Sequence, residues 1–198
     1  VQIEFRRLSK IEFITLAPRL VEIYLRAMHY DPDLLETRVT AWRQHTQLPG
    51  FAAIIAITDN REIVGIAYGH SGTPLNWWHT QIQRGLHSAN SYTPENRRTL
   101  SNYFELSEIH VDPEAQGVGI GRQLLLRLAE TTRHPSILLS TPEVPAENNA
   151  AFGLYRRLGF TDLLRHHVFS GDAREFAILQ ATLPFPHVES ATEHVDKR

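Results

Sequence analysis

VDPEAQGVGIGRQLL, residues 111–125, is the stretch whose reading decides the fold. Before it, FELSEIHVD (104–112) carries apolar and β-branched residues in the manner of a strand. After it, GIGRQLLLRLAETTR (119–133) sets Leu124, Leu125, Leu128 and Ala129 on one face, which is a helix period. Between them a turn opens at Asp112-Pro113 and runs through Gln116, Gly117, Gly119 and Gly121. Closely spaced glycines let backbone approach a ligand in conformations closed to other residues. Free amides at a helix N-terminus, with the positive end of the dipole behind them, favour a phosphate. A Walker loop needs Gly-Lys-Ser/Thr, and Gly121 is followed by Arg122-Gln123. A dinucleotide fingerprint needs G-x-G-x-x-G, whereas 117–122 reads Gly-Val-Gly-Ile-Gly-Arg and no acidic residue ends a second parallel strand about 20 residues on. At this point a glycine turn without a ligand remains an alternative.

Working outward, residues 2–7 alternate weakly as a first strand. Ile11 to Met28 places Phe13, Leu16, Leu20, Ile23, Tyr24 and Ala27 at helical spacing, with Pro18 in its early turns, and Leu34 to Gln47 reads as a second helix. FAAIIAITD (51–59) and EIVGIAYGH (62–70) form a hairpin about Asp59-Asn60-Arg61. From 72 to 102 the pattern breaks into a polar excursion with Trp77 and Trp78 embedded, with a helical turn or two around 77–87. PSILLST (135–141) is a short strand, Asn148 to Leu158 a helix stopped by Gly159, and 160–169 and 174–183 two closing strands. The pattern is lost after Pro184, so 184–198 reads as a flexible tail.

Two motifs together carry a resemblance. Gln116-Gly117-Val118-Gly119-Ile120-Gly121 resembles the acetyl-CoA pyrophosphate loop of the GNAT superfamily of N-acetyltransferases. Asn148, Ala151, Tyr155, Gly159 and Phe160 in NNAAFGLYRRLGF match that family's N-x-x-A-x-x-x-Y-x-x-x-G-F helix. The resemblance covers residues 3–183, with 72–102 as an insertion that departs from the family's short turn. It implies an α/β (α+β) fold: a mixed, mostly antiparallel sheet splayed between its fourth and fifth strands, with helices on both faces. Residues 1–183 would be the acetyltransferase domain; without 72–102 and the tail the chain is about 150 residues, the usual size of one domain.

The resemblance also implies chemistry. The acetyl group of acetyl-CoA, the cofactor, would pass directly to a primary amine of a small molecule or peptide. Pantetheine would lie in the splay against the backbone of Ile109, His110 and Val111. Amides from Gly117 through Val118, Gly119, Ile120 and Gly121 to Arg122 would hold the pyrophosphate, with Gln116 and Asn148 part of the same site. An amide near Val111 would donate to the oxyanion. Tyr155 sits where the family places the acid that protonates the leaving thiolate. The base stays open. Glu105 lies 11 residues before Gln116, the spacing in histone-acetylating members. Strand alternation would put Glu105 with Ser107 and Ile109, and the rival pair Glu108 and His110 on the other face. Glu143 is a further candidate, and other members use water. The acceptor pocket would include Tyr30 and Asp31, with Trp77 or Trp78 of the insertion as an apolar wall.

Composition bounds the alternatives. The 198 residues are 42% hydrophobic and 21% charged, which is ordinary for a globular chain. Formal net charge is −2, so no global field draws nucleic acid or anionic lipid, and neither is expected as a partner. The chain has no cysteine, which excludes disulfides, thiolate nucleophiles and cysteine zinc sites. The eleven histidines show no H-E-x-x-H, and His166-His167, as strand neighbours, would point apart, so no metal is expected. No apolar run reaches the length of a membrane span, and VQIEFRRLSK lacks a secretory apolar core; the expectation is a cytoplasmic protein, monomeric or homodimeric. Two alternatives to an enzyme are a non-catalytic acetyl-CoA-binding regulator and an unrelated scaffold whose glycine turn is structural.

Overall fold

A computed structural model describes residues 2–186. Seven strands, β1 (Ile3–Leu8), β2 (Ala52–Thr58), β3 (Ile63–Ser71), β4 (Phe104–Val111), β5 (Ser136–Pro142), β6 (Thr161–Val168) and β7 (Glu175–Thr182), form one sheet. Their order is β1-β2-β3-β4-β5-β7-β6. Neighbours run antiparallel except β4 and β5, which are parallel and pair only at Phe104↔Ile137 and Glu105↔Leu138. Beyond that point the two strands diverge, so the splay expected between the fourth and fifth strands is present.

Six helices cover the sheet: α1 (Lys10–Met28), α2 (Leu35–His45), α3 (Trp77–Ser88), α4 (Pro94–Ser101), α5 (Ile120–Ala129) and α6 (Ala150–Arg157). Ser9 caps α1 in a reciprocal arrangement with Glu12, and the helix runs unbroken through Pro18 to a left-handed His29 at φ 54°. Strand alternation divides the core. Ala53, Ile55 and Ile57 of β2 join Phe13, Leu20, Tyr24 and Trp42 beneath α1 and α2. Ala52, Ile54 and Ala56 face the other way, to Leu124, Leu125, Leu128 and Phe152 of α5 and α6.

The segment 72–102 departs from its sequence reading. It is not a polar excursion with a turn or two but two helices over a third apolar cluster. Ile82 and Leu86 of α3 and Leu100 of α4 meet Tyr103, Leu138, Leu163, Leu164, Phe169 and Ile178. Leu138 lies beside Glu105 in the sheet. The insertion therefore shares the face of α1 and α2 and covers its C-terminal half. Hydrogen bonds hold it there: Gln81 Oε1 accepts from the N–H and hydroxyl of Ser170, both at 3.1 Å. Of the tail, Pro184–Pro186 are described, with Phe185 packed against Phe160 at 5.8 Å; residues 187–198 lie outside the described residues. No helix among the described residues is long and apolar enough to cross a membrane.

Candidate active site

The site is built around an irregularity in β4. Tyr68 pairs with Glu108 but Gly69 pairs with Leu106, so Ser107 is an extra residue, a β-bulge. The bulge resets the alternation. Phe104 and Leu106 belong to the α5–α6 core, and so do Ile109 and Val111, which lie an odd number of residues further on. Glu105, Glu108 and His110 consequently share the α1–α2 face. The regular alternation expected from sequence, with Glu105 and Glu108 on opposite faces, is corrected by this one inserted residue.

Two cavities flank the splay. The larger, about 850 Å³, is floored by Leu106–His110 of β4 and Leu139–Pro142 of β5. Its walls are Tyr24 of α1, Tyr30, Trp77 and Trp78 of α3, and the turn from Phe169 to Arg174. The smaller, about 430 Å³, lies between Ile109–Val111, the glycine turn and the start of α6. Ala27, Met28, Ile109, His110, Asn149, Ala151 and Tyr155 line both.

The smaller cleft has the character of an anion cradle. Gly117 and Gly119 adopt φ of 86° and 87°, the left-handed region, and a Cβ on either would meet no atom of the described residues within 4 Å. The open side of the turn is thus free for a ligand. Gly119 caps α5, and the amides of Ile120, Gly121 and Arg122 have no carbonyl four residues back within the helix. Gln116 holds the turn by donating its side-chain amide to Val111 O at 3.0 Å. Asp112 closes its start, accepting from Glu114 N–H at 3.1 Å and from Arg26 at 2.5 Å. Arg122 and Arg157 line the same cleft and add positive charge. These groups fit a pyrophosphate.

The three carboxylates considered as base are now separated. Glu108 lines the large cavity, and its Oε2 lies 2.6 Å from His110 Nε2. Glu105 lines neither cavity. It is buried beside His70, whose Nε2 is 3.7 Å away, too far for a hydrogen bond, and its Oε2 has no partner among the described residues. Burial pushes its carboxyl up to about 8. Glu143 is gripped by Arg165 through bonds of 2.7 Å and by the His166 N–H, and the Arg165 bonds pull it down to about 2. Tyr155 is buried, and burial, followed by the charge of Glu108, raises its phenol above the ordinary value, so it keeps its proton.

The remaining expected residues are distributed as follows. Ile109, His110, Val111, Gln116, Gly117, Gly119, Ile120, Gly121 and Arg122 line the small cleft; Val118 does not and is 75% exposed. Asn148 is exposed outside both cavities, because α6 starts at Ala150, two residues later than read. Its neighbour Asn149 caps α6 by accepting from Phe152 N–H and lines both cavities. Tyr30, Trp77 and Trp78 line the large cavity; Asp31 does not, its carboxylate being used on Asp33 N–H. Sequence reasoning missed Tyr24, Arg38, Ser107, Asn149 and Arg174. Only Asn149, adjacent to the motif asparagine, carried a readable signal.

A strand–glycine turn–helix with pyrophosphate-binding features, a splayed β4–β5 pair and a tyrosine between two cavities define an acetyltransferase fold. The chain belongs to the acetyltransferase (GNAT) family, whose model matches residues 17–160. It is 37% identical over 183 residues to the GCN5-like protein acetyltransferase Rv2170 of Mycobacterium tuberculosis, covering 82% of this chain and 89% of that one. It is 38% identical over 78 residues to the [ribosomal protein bS18]-alanine N-acetyltransferase of Escherichia coli, covering 38% of this chain and 53% of that one. The fold is similar to that of yncA, an acetyltransferase of Salmonella typhimurium solved with its cofactor acetyl-CoA, at a TM-score of 0.60 and 18% identity, covering 97% and 100% of the two chains.

Proposed function

We propose that this chain is an acetyl-CoA-dependent N-acetyltransferase acting on a primary amine of a protein or peptide. The observation that carries the reading is the pair of cavities meeting at Tyr155, one walled by the glycine turn and the other reaching Glu108 and His110. The printed name of the M. tuberculosis relative supports a protein acceptor.

When bound, acetyl-CoA supplies an activated thioester. The chain's own groups do the rest. The amides at the start of α5, with Arg122 and Arg157, hold the pyrophosphate in the small cleft. The acceptor amine enters the large cavity. An ammonium has no lone pair, so it must first lose a proton, and the Glu108–His110 pair takes it. As the new C–N bond forms and the C–S bond breaks, the Tyr155 hydroxyl gives its proton to the departing sulfur. Trp77, Trp78 and Tyr24 wall the amine off with aromatic surface.

The test is thiol release from acetyl-CoA over a panel of amines: alanine-starting peptides, lysine-containing peptides, polyamines and free amino acids. Glu108→Gln and Tyr155→Phe are each expected to lower kcat by about 100-fold or more while acetyl-CoA still binds. Absence of amine-dependent thiol release across the whole panel would sink the reading.

A further inference from the structure

The large cavity carries charge beyond Glu108 and His110. Its lining includes Arg38, Glu108, Asp172 and Arg174. Three of these four are compensated. Glu108 pairs with His110. Asp172 accepts from Arg174 Nε at 3.0 Å and from its Nη2 at 2.6 Å, while Arg174 Nη1 donates to the Tyr30 hydroxyl at 2.7 Å. Arg38 has neither an ion pair nor a hydrogen bond among the described residues. Its own helix offers none: the neighbours three and four positions away are Leu34, Leu35, Ala41 and Trp42, and none is acidic. Trp42, one turn on from Arg38 in α2, is buried against Tyr24 at 5.6 Å and His110 at 6.5 Å. Arg38 lies on the same side of α2 but is exposed, with its guanidinium carbon 5.8 Å from the centre of the Tyr24 ring. That ring is in turn 4.9 Å from the His110 imidazole. An uncompensated cation therefore stands within about 11 Å of the pair that takes the amine's proton. Resting against an aromatic ring uses none of its N–H donors, so its fork is open to a carboxylate.

We propose that Arg38 reads a carboxylate on the residue beside the acetylated one, so that the preferred acceptor is a peptide amine next to an acidic side chain. The inference rests on the transferase reading above and deepens it. An extended peptide advances about 3.3–3.6 Å per residue, so a group that meets Arg38 belongs to a close chain neighbour of the amine rather than to a remote part of the acceptor. An acidic neighbour gains charge-assisted N–H bonds from the guanidinium. A basic neighbour meets an uncompensated like charge and is rejected. Arg174 does not duplicate this role, because Asp172 already fills its fork.

The experiment measures thiol release with peptides that differ only at the residue beside the amine: Glu, Gln or Arg. One series starts with alanine and the other has a single lysine and a blocked N-terminus. Wild type, Arg38→Gln and Arg38→Glu are compared. In whichever series is acetylated, wild type is expected to favour Glu over Arg about tenfold in kcat/KM, and the ratio should shrink as sodium chloride is raised. Arg38→Gln should bring the three peptides within about twofold of one another, leaving the rate on the Gln peptide and the KM for acetyl-CoA unchanged. Arg38→Glu should reverse the order, which mere loss of a structural contact does not do. Thiol release without a preference for Glu in wild type, or a preference that survives Arg38→Glu, overturns the inference and leaves the transferase reading standing. An Arg38→Gln variant that slows all three peptides equally also overturns it. No thiol release with any amine overturns the transferase reading and this inference with it.

Discussion

Glu105 and Glu108 lie three positions apart on one face of β4, and their surroundings give them opposite roles. Glu108 reaches the cavity and pairs with His110. Glu105 is sealed beside His70, its carboxyl pushed up to about 8, while burial lowers the imidazole of His70. The pair is therefore neutral over most of the physiological range. Stability should respond to pH accordingly. The unfolded chain releases the Glu105 proton near 4.5, and the folded chain holds it to about 8. Between those values the folded state binds more protons, so stability falls as pH rises, by about 1.4 kcal/mol per pH unit from this group. Glu105→Gln is expected to be as stable as wild type near pH 4.5 and more stable near pH 8, measured by urea melts at both pH values. A variant that tracks wild type at both would refute the buried-acid assignment. The spacing of Glu105 from Gln116 was readable in the sequence; its burial was not. The bulge that separates the two glutamates carries no glycine or proline signal. It comes from the long-range pairing of β4 with β3.

The glycine turn was legible because its constraint is local. Gly117 and Gly119 need φ near +86°, and that need is written in their residue type. Gly119→Ala should cost about 1–2 kcal/mol in backbone strain and lower the melting temperature by several degrees. Its larger effect should be on acetyl-CoA affinity, because the new methyl projects into space that no atom of the described residues occupies. Isothermal titration and a thermal melt separate the two; a lost melting temperature with intact affinity would contradict the cradle. The insertion was hard to read for the opposite reason. In α4 only Leu100 is buried, and α3 buries His79, Gln81, Ile82 and Leu86. Two polar residues in that set hide the helical period. Their partners are distant in sequence: Tyr103 OH for His79 at 3.1 Å and Ser170 for Gln81. The Thr93-Pro94 start of α4, where Thr93 accepts from Asn96 N–H, was the cue available.

At the scale of the molecule, three apolar clusters among the described residues share one sheet, and the third exists only because of the insertion. Removing 73–101 would bare Leu138, Leu163 and Ile178, so deletion tests folding rather than acceptor choice. Trp77 is the better probe. It is 56% exposed, lines the large cavity and packs on Phe169 at 5.6 Å. Trp77→Ala is expected to raise the acceptor KM several-fold, leave KM for acetyl-CoA unchanged and shift the melting temperature little; a change in KM for acetyl-CoA alone would exclude Trp77 from the acceptor wall. The general architecture was readable because it follows from hydrophobic period and two motifs. The layout of the acceptor side depends on which distant segments meet, and single-sequence pattern does not encode that. The two cavities meet along shared residues, Tyr155 among them, but each has walls of its own. Both reactants can therefore be seated before either leaves, and no cysteine exists in the chain to carry the acyl group between them. Turnover should then pass through a ternary complex: double-reciprocal plots at several fixed amine concentrations should intersect, and labelled CoA should not exchange into acetyl-CoA until an amine is added.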